Sequence, residues 1–141
     1  MILVIDTNIL LASLIRDSTI RKIIIESNWE FFYPEMSFHE IRKYKNLVLE
    51  KSGMNEKEYT ELLNHLLQHI TLVPEEQIKG HMEEANKLLG KFDPDDVVFL
   101  ATAFSVENSK IWSDDPHLGK QIKVRVFKTK HIVMLFFPDD N

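Results

Sequence analysis

The feature that most constrains the fold is a series of short apolar runs set among stretches of helical periodicity. Met1 to Ile5 has no polar alternation, the pattern of a strand buried on both faces of a parallel sheet. Trp29 to Tyr33 (closed by Pro34), Ile70 to Val73 (closed by Pro74), Lys110 to Ser113 and Arg125 to Lys128 are the other strand candidates. Strands separated by helices imply a three-layer α/β/α fold, with a central parallel sheet of four to five strands covered on both faces. At 141 residues the chain has the size of one domain, placed at 1–137, with a frayed tail at 138–141.

Helix signals fill the intervals. After Asp6-Thr7-Asn8, the residues Ile9, Leu10, Leu11, Leu14 and Ile15 read as a first helix, and Asp17-Ser18 precedes a second with Ile20, Ile23 and Ile24 inward. Ser37-Phe38-His39-Glu40 matches a capping box opening a helix to about Lys51, stopped by Ser52-Gly53. Asn55 with Glu58 starts the next helix, whose stripe of Tyr59, Leu62, Leu63, Leu66 and Leu67 runs on to Ile70. These two helices form an αα-hairpin that suits a homodimer contact. Glu75 to Leu89 reads as one amphipathic helix closed by Gly90, and Thr129 as the cap of a last helix through Ile132, Leu135 and Phe136.

Composition removes several chemistries. There is no cysteine, which excludes disulfides, thiolate nucleophiles and cysteine-ligated zinc. A net charge of −5 argues against indiscriminate binding to nucleic-acid backbones, though not against an enzyme that gathers cations at an acidic site. The apolar run at Ile2 to Ile5 lacks a preceding basic stretch and is broken by Asp6, so neither a signal peptide nor a membrane span is expected, and the expected location is cytoplasmic.

The acids are distributed pointedly. Phe92-Asp93-Pro94-Asp95-Asp96 opens a helix whose Val97, Leu100, Ala101 and Phe104 share one face. Asp93 is a good N-cap, Pro94 suits the first helical position, and Asp95 and Asp96 favour the positive end of the helix dipole. Capping alone explains these three. It does not explain Asp6, which ends the first strand; Asp114 and Asp115 follow the fourth, and Glu40, for which a capping box is also an explanation, opens the helix after the second. In a parallel α/β domain such strand-to-helix junctions share one sheet edge, the edge where ligands bind. Four to six carboxylates converging there would repel and raise one another's pKa unless a cation intervened. A hard divalent ion, Mg²⁺ or Mn²⁺, takes carboxylate oxygens and keeps several waters.

Taken in order, Ile5-Asp6-Thr7-Asn8, Glu40 at a helix start, Asp93-Pro94-Asp95-Asp96 with Leu100-Ala101-Thr102-Ala103, and Trp112-Ser113-Asp114-Asp115 resemble the PIN domain, a metal-dependent ribonuclease fold. The resemblance covers nearly the whole chain and extends to the compact prokaryotic members that include VapC-type toxins. It implies four catalytic acids, Asp6, Glu40, Asp96 and Asp115, with Mg²⁺ or Mn²⁺ on Asp6, Asp96 and Asp115. Asp96 matches by its spacing to Ala101 and Ala103, and Asp115 by the pattern of Ser or Thr, any residue, then Asp. Asn8, Asp93, Ser113 and Asp114 take supporting roles. The implied reaction is hydrolysis of an RNA phosphodiester, leaving a 5′-phosphate and a 3′-hydroxyl, in single-stranded or loop RNA. A toxin would have an antitoxin partner. One residue departs: many relatives carry a further acid two positions after the last, where this chain has His117, which bears on a second metal site and its preference.

Other readings compete. Arg42 with Lys43, and Lys120 with Lys123 in an acid-free basic stretch, are candidates to guide an RNA backbone, or simply solvated charge. His65 and His69 have zinc spacing, but on a leucine-dense helix. An aspartyl-phosphate phosphotransferase wants a second Asp where Asn8 stands. A receiver domain wants an acidic pair after the first strand and an Asp ending the third. A housekeeping RNA-processing nuclease and a non-catalytic PIN-like scaffold for RNA or protein are the remaining alternatives.

Overall fold

The structure is a computed structural model that describes residues 1–15, 19–91 and 94–138. Asp17, Ser18 and Asp93, and the tail beyond Pro138, lie outside the described residues. Strands β1 (Ile2–Ile5), β2 (Glu30–Pro34), β3 (Ile70–Val73), β4 (Lys110–Trp112) and β5 (Val126–Phe127) form one sheet in the order β3-β2-β1-β4-β5, every pairing parallel. The parallel sheet expected from the apolar runs is present, with each strand within two residues of its expected bounds. Leu3, Val4 and Ile5 of the central strand are wholly buried. That explains the unbroken apolar run: a strand covered on both faces has no solvent side to mark with polar residues. Burial of each such side chain stabilises the fold by about 1.5–3 kcal/mol.

Strand order dictates the layers. From β1 to β3 the chain steps along the sheet one way, through α1 (Thr7–Ile15), α2 (Thr19–Glu26), α3 (Phe38–Lys43), α4 (Lys45–Ser52) and α5 (Glu56–Leu67). It then returns past β1 to β4 through α6 (Glu75–Ile78), α7 (Met82–Leu89) and α8 (Pro94–Ser105). Right-handed crossovers running in opposite directions put their helices on opposite faces. The packing agrees: α1 touches α2, α3, α4 and α5, whereas α8 packs on α6, α7 and the sheet. Helix α9 (Thr129–Phe136) joins the first group by packing on α2. The reversal of direction falls between β1 and β4, and the crevice at such a switch point is where α/β sheets bind ligands.

Local signals mostly act as written. Asn55 and Glu58 form a reciprocal capping box at the start of α5. Gly53 takes the left-handed conformation (φ 73°) that ends α4, a backbone state costly for any residue with a Cβ. Three expectations are corrected. The helix expected from Ser37 to Lys51 is broken at Tyr44 (φ −96°, ψ 9°), a break that no Gly or Pro marks. The helix expected over Glu75 to Leu89 is interrupted by a 3₁₀ turn at Lys79–His81. And Ser37 makes no side-chain cap, because a 3₁₀ turn at Glu35–Ser37 leads into α3 and leaves Ser37 without the extended backbone a cap requires. Among the described residues no helix is long and apolar enough to cross a membrane.

Candidate active site

Register places the first pair of polar groups. Ile5 is opposite Trp112 in the β1–β4 ladder, so Asp6 and Ser113 emerge side by side at the carboxyl edge. The Ser113 hydroxyl donates to Asp6 Oδ2 and accepts the Asp115 backbone N–H at 3.0 Å. Asp6 Oδ1 accepts the Ile9 backbone N–H at 2.9 Å, which ties the carboxylate to the first turn of α1. Asp6 is only 5% exposed, and burial pushes its carboxyl up from 3.8 to about 6. The Ser113 and Ile9 bonds oppose that rise, and the charges of Asp115 and Asp114 add to it.

Glu40 reaches the same place from α3. Released from any capping duty, its Oε1 accepts the Thr7 hydroxyl at 3.2 Å. Thr7 Oγ1 also meets the Tyr33 hydroxyl at 2.8 Å, and Tyr33 donates to the Ser37 carbonyl at 3.0 Å. Proton counting constrains this chain of contacts. With Thr7 donating to Glu40 and Tyr33 to the Ser37 carbonyl, both hydroxyl protons are used, and the Thr7–Tyr33 contact brings the two hydroxyl oxygens together without a proton of its own. Burial raises the Glu40 carboxyl, and the Asp95 charge adds to the rise, against the Thr7 bond and the nearby His39 and Lys43 charges. The Tyr33 phenol is itself driven up by burial and stays protonated.

The third acid comes from α8. Asp96 heads the face continued by Phe99, Leu100 and Ala103, so the periodicity that buries those residues also buries Asp96, at 6% exposure. Asp95, one step round the helix, is exposed. Asp6, Glu40, Asp95, Asp96 and Asp115 all line one crevice, together with Thr7, Asn8 and Tyr44. At its rim Asp96 and Asp115 meet His117, and donor atoms of the three all lie within 4.8 Å of one another.

Widely separated acids do meet here, and the chain's match to a family model described as PIN domain spans residues 4–133. The chain belongs to the PIN domain family. Members of this family are generally nucleases. No curated individual protein matches the sequence.

In this PIN domain the other sequence candidates are placed variously. Asn8 is exposed at the crevice. Asp114 turns away from it: its two oxygens accept the Thr129 N–H at 2.7 Å and the Thr129 hydroxyl at 2.6 Å, anchoring the start of α9. Thr129, expected as a cap, instead bridges Asp114 to the indole N–H of Trp112 at 3.0 Å. Lys120 lines a groove with Ser113, Asp115 and Lys128, whereas Lys123 is exposed outside it. Arg42 lies over the Phe38 ring and Lys43 over Tyr44, a crevice residue.

Sequence reasoning left out Asp95, read only as a dipole partner, and treated His117 as a departure although it joins the acids. The Asp-Pro-His spacing held a signal. The His117 backbone N–H donates to Asp115 Oδ1 at 2.8 Å, an Asx turn that folds His117 back over the carboxylate.

Proposed function

We propose that this PIN domain is a Mg²⁺- or Mn²⁺-dependent endoribonuclease that hydrolyses phosphodiester bonds of mostly single-stranded RNA in the cytoplasm. The observation that carries the reading is the convergence of Asp6, Glu40, Asp96 and Asp115 on one crevice at the switch point of the sheet. The donor set suits a hard divalent cation: carboxylate oxygens, two of them on nearly buried residues, with one carboxyl held far above its usual range by burial and like charge. Asp6, Asp96 and Asp115 would hold the ion. When bound, such an ion lowers the pKa of a water and neutralises charge developing on a phosphoryl oxygen.

The chain's own residues supply the rest. Ser113 fixes the orientation of Asp6, and the Ile9 amide fixes its rotation about the side chain. Glu40, aligned by Thr7, accepts a proton from the attacking water, a task suited to a carboxylate whose basicity burial has increased. Cleavage leaves a 5′-phosphate and a 3′-hydroxyl. Lys120 and Lys128, in the groove beside Asp115, hold the flanking phosphates. Arg42 and Lys43 on α3 approach from the Glu40 side.

As a compact PIN domain it acts as the toxin of a VapBC-type pair, with an antitoxin that inserts Arg or Lys into the acidic crevice, and it works as a homodimer through the α4–α5 hairpin, where Leu47 is exposed. The deciding experiment is cleavage of a labelled single-stranded RNA with Mg²⁺ or Mn²⁺ by wild type, Asp6→Asn and Asp96→Asn. Cleavage by wild type alone supports the proposal. Equal cleavage by all three refutes the site, and RNA binding without cleavage by any of them replaces the nuclease with a scaffold.

A further inference from the structure

Next to the carboxylates stands a group of different chemistry. His117 Nδ1 is 3.6 Å from Asp115 Oδ1 and 4.0 Å from Asp96 Oδ2. Those separations exceed the 2.7–3.2 Å or so of a direct hydrogen bond. With donor atoms of Asp96, Asp115 and His117 all within 4.8 Å of one another, the three side chains leave room for one ion to be held among them. The Asx turn on Asp115 fixes the imidazole on the same side as the carboxylate, and α8 delivers Asp96 from across the crevice.

We infer that His117 is a ligand of the ion held by Asp96 and Asp115, so that the site is a mixed nitrogen–oxygen site that selects Mn²⁺ over Mg²⁺. This rests on the reading of the crevice as a metal site and goes on to name the ion. An all-carboxylate set gives Mg²⁺ the hard oxygens and retained waters it prefers. Exchanging one oxygen for an imidazole favours first-row transition ions, and among these Mn²⁺ shares the affinity of Mg²⁺ for carboxylate and water.

The test is binding of each metal alone to the full chain, by calorimetry, with pulsed electron paramagnetic resonance of the Mn²⁺-loaded protein to detect ¹⁴N coupling from a coordinated imidazole. Wild type is expected to bind Mn²⁺ more tightly than Mg²⁺ and to show the coupling. His117→Ala should lose it and weaken Mn²⁺ binding by at least about tenfold, the lower end of what disturbing a ligand's support already costs, with much less effect on Mg²⁺. His117→Asp should also abolish the coupling and reverse the preference. His117 is an exposed loop residue, and circular dichroism of both variants checks their folding. Tight Mn²⁺ binding without ¹⁴N coupling, or coupling that persists in His117→Ala, overturns the inference and leaves the metal site standing. If folded wild type binds neither ion, the metal-site reading fails and the inference with it.

Discussion

Ser113 and Asp6, 107 residues apart in sequence, share a buried hydrogen bond in which the serine hydroxyl donates to the carboxylate, and the same hydroxyl receives the Asp115 amide. One oxygen therefore joins the ends of β1 and β4 and sets two of the four acids relative to each other. Ser113→Ala should lower stability by about 1–3 kcal/mol, because it leaves buried polar groups without their partner. It should also drive the Asp6 carboxyl further up, since that bond opposes the effect of burial. Urea unfolding of the metal-free protein measures the first, and the pH profile of cleavage the second.

Asp6 gives metal-free stability a defined pH dependence. Its carboxyl rises from 3.8 to about 6 on folding, so the protonated form is the one that fits the folded state. The contribution is fully present below about 3.8 and is lost as pH rises through 6. The total is roughly 3 kcal/mol, about half of it between pH 5 and 8. Asp6→Asn should flatten this slope and be at least as stable as wild type at pH 8. Saturating Mn²⁺ should reverse the trend for wild type alone, because only the ionised carboxylate binds the ion. A wild-type slope that matches Asp6→Asn would refute the assignment.

Tyr33→Phe deletes the hydroxyl between Thr7 and the Ser37 carbonyl. The expected cost is about 1 kcal/mol of stability. Cleavage should slow while RNA affinity holds, because Thr7 loses the contact that aims it at Glu40. Turnover and fluorescence-anisotropy binding on one RNA separate the two quantities.

If Lys120 and Lys128 bind phosphates, each Ala substitution in an Asp96→Asn background should reduce the slope of log affinity against log salt by about 1. Lys123→Ala, outside the groove, should leave that slope unchanged.

How much of this was legible beforehand divides by range. The strands were plain, because a run such as Leu3-Val4-Ile5 has one environment in which it is stable. The choice of Asp96 over Asp95 came from the resemblance, by its spacing to Ala101 and Ala103, and the burial of Asp96 beside an exposed Asp95 shows only once α8 is packed. Less legible were features that depend on how segments arrive. Ser37-x-x-Glu40 has the letters of a capping box, yet the preceding 3₁₀ turn removes the backbone geometry that makes one. The break at Tyr44 leaves no mark in the sequence. Asp114 and Asp115 look equivalent side by side, but consecutive residues point opposite ways as β4 ends, and one anchors α9 while the other enters the crevice. His117 could be read only as a missing acid until the turn around it was visible.

The order β3-β2-β1-β4-β5 has a consequence for when the crevice can exist. Everything before residue 110 supplies Asp6, Glu40 and Asp96, but Ser113 and Asp115 arrive with β4, which zips onto the flank of β1 left bare by the earlier strands. A nascent chain still lacking that strand has three of the acids but not the Ser113 hydroxyl that orients Asp6. During synthesis the acidic edge of the sheet therefore stays incomplete until β4 has left the ribosome and paired with β1.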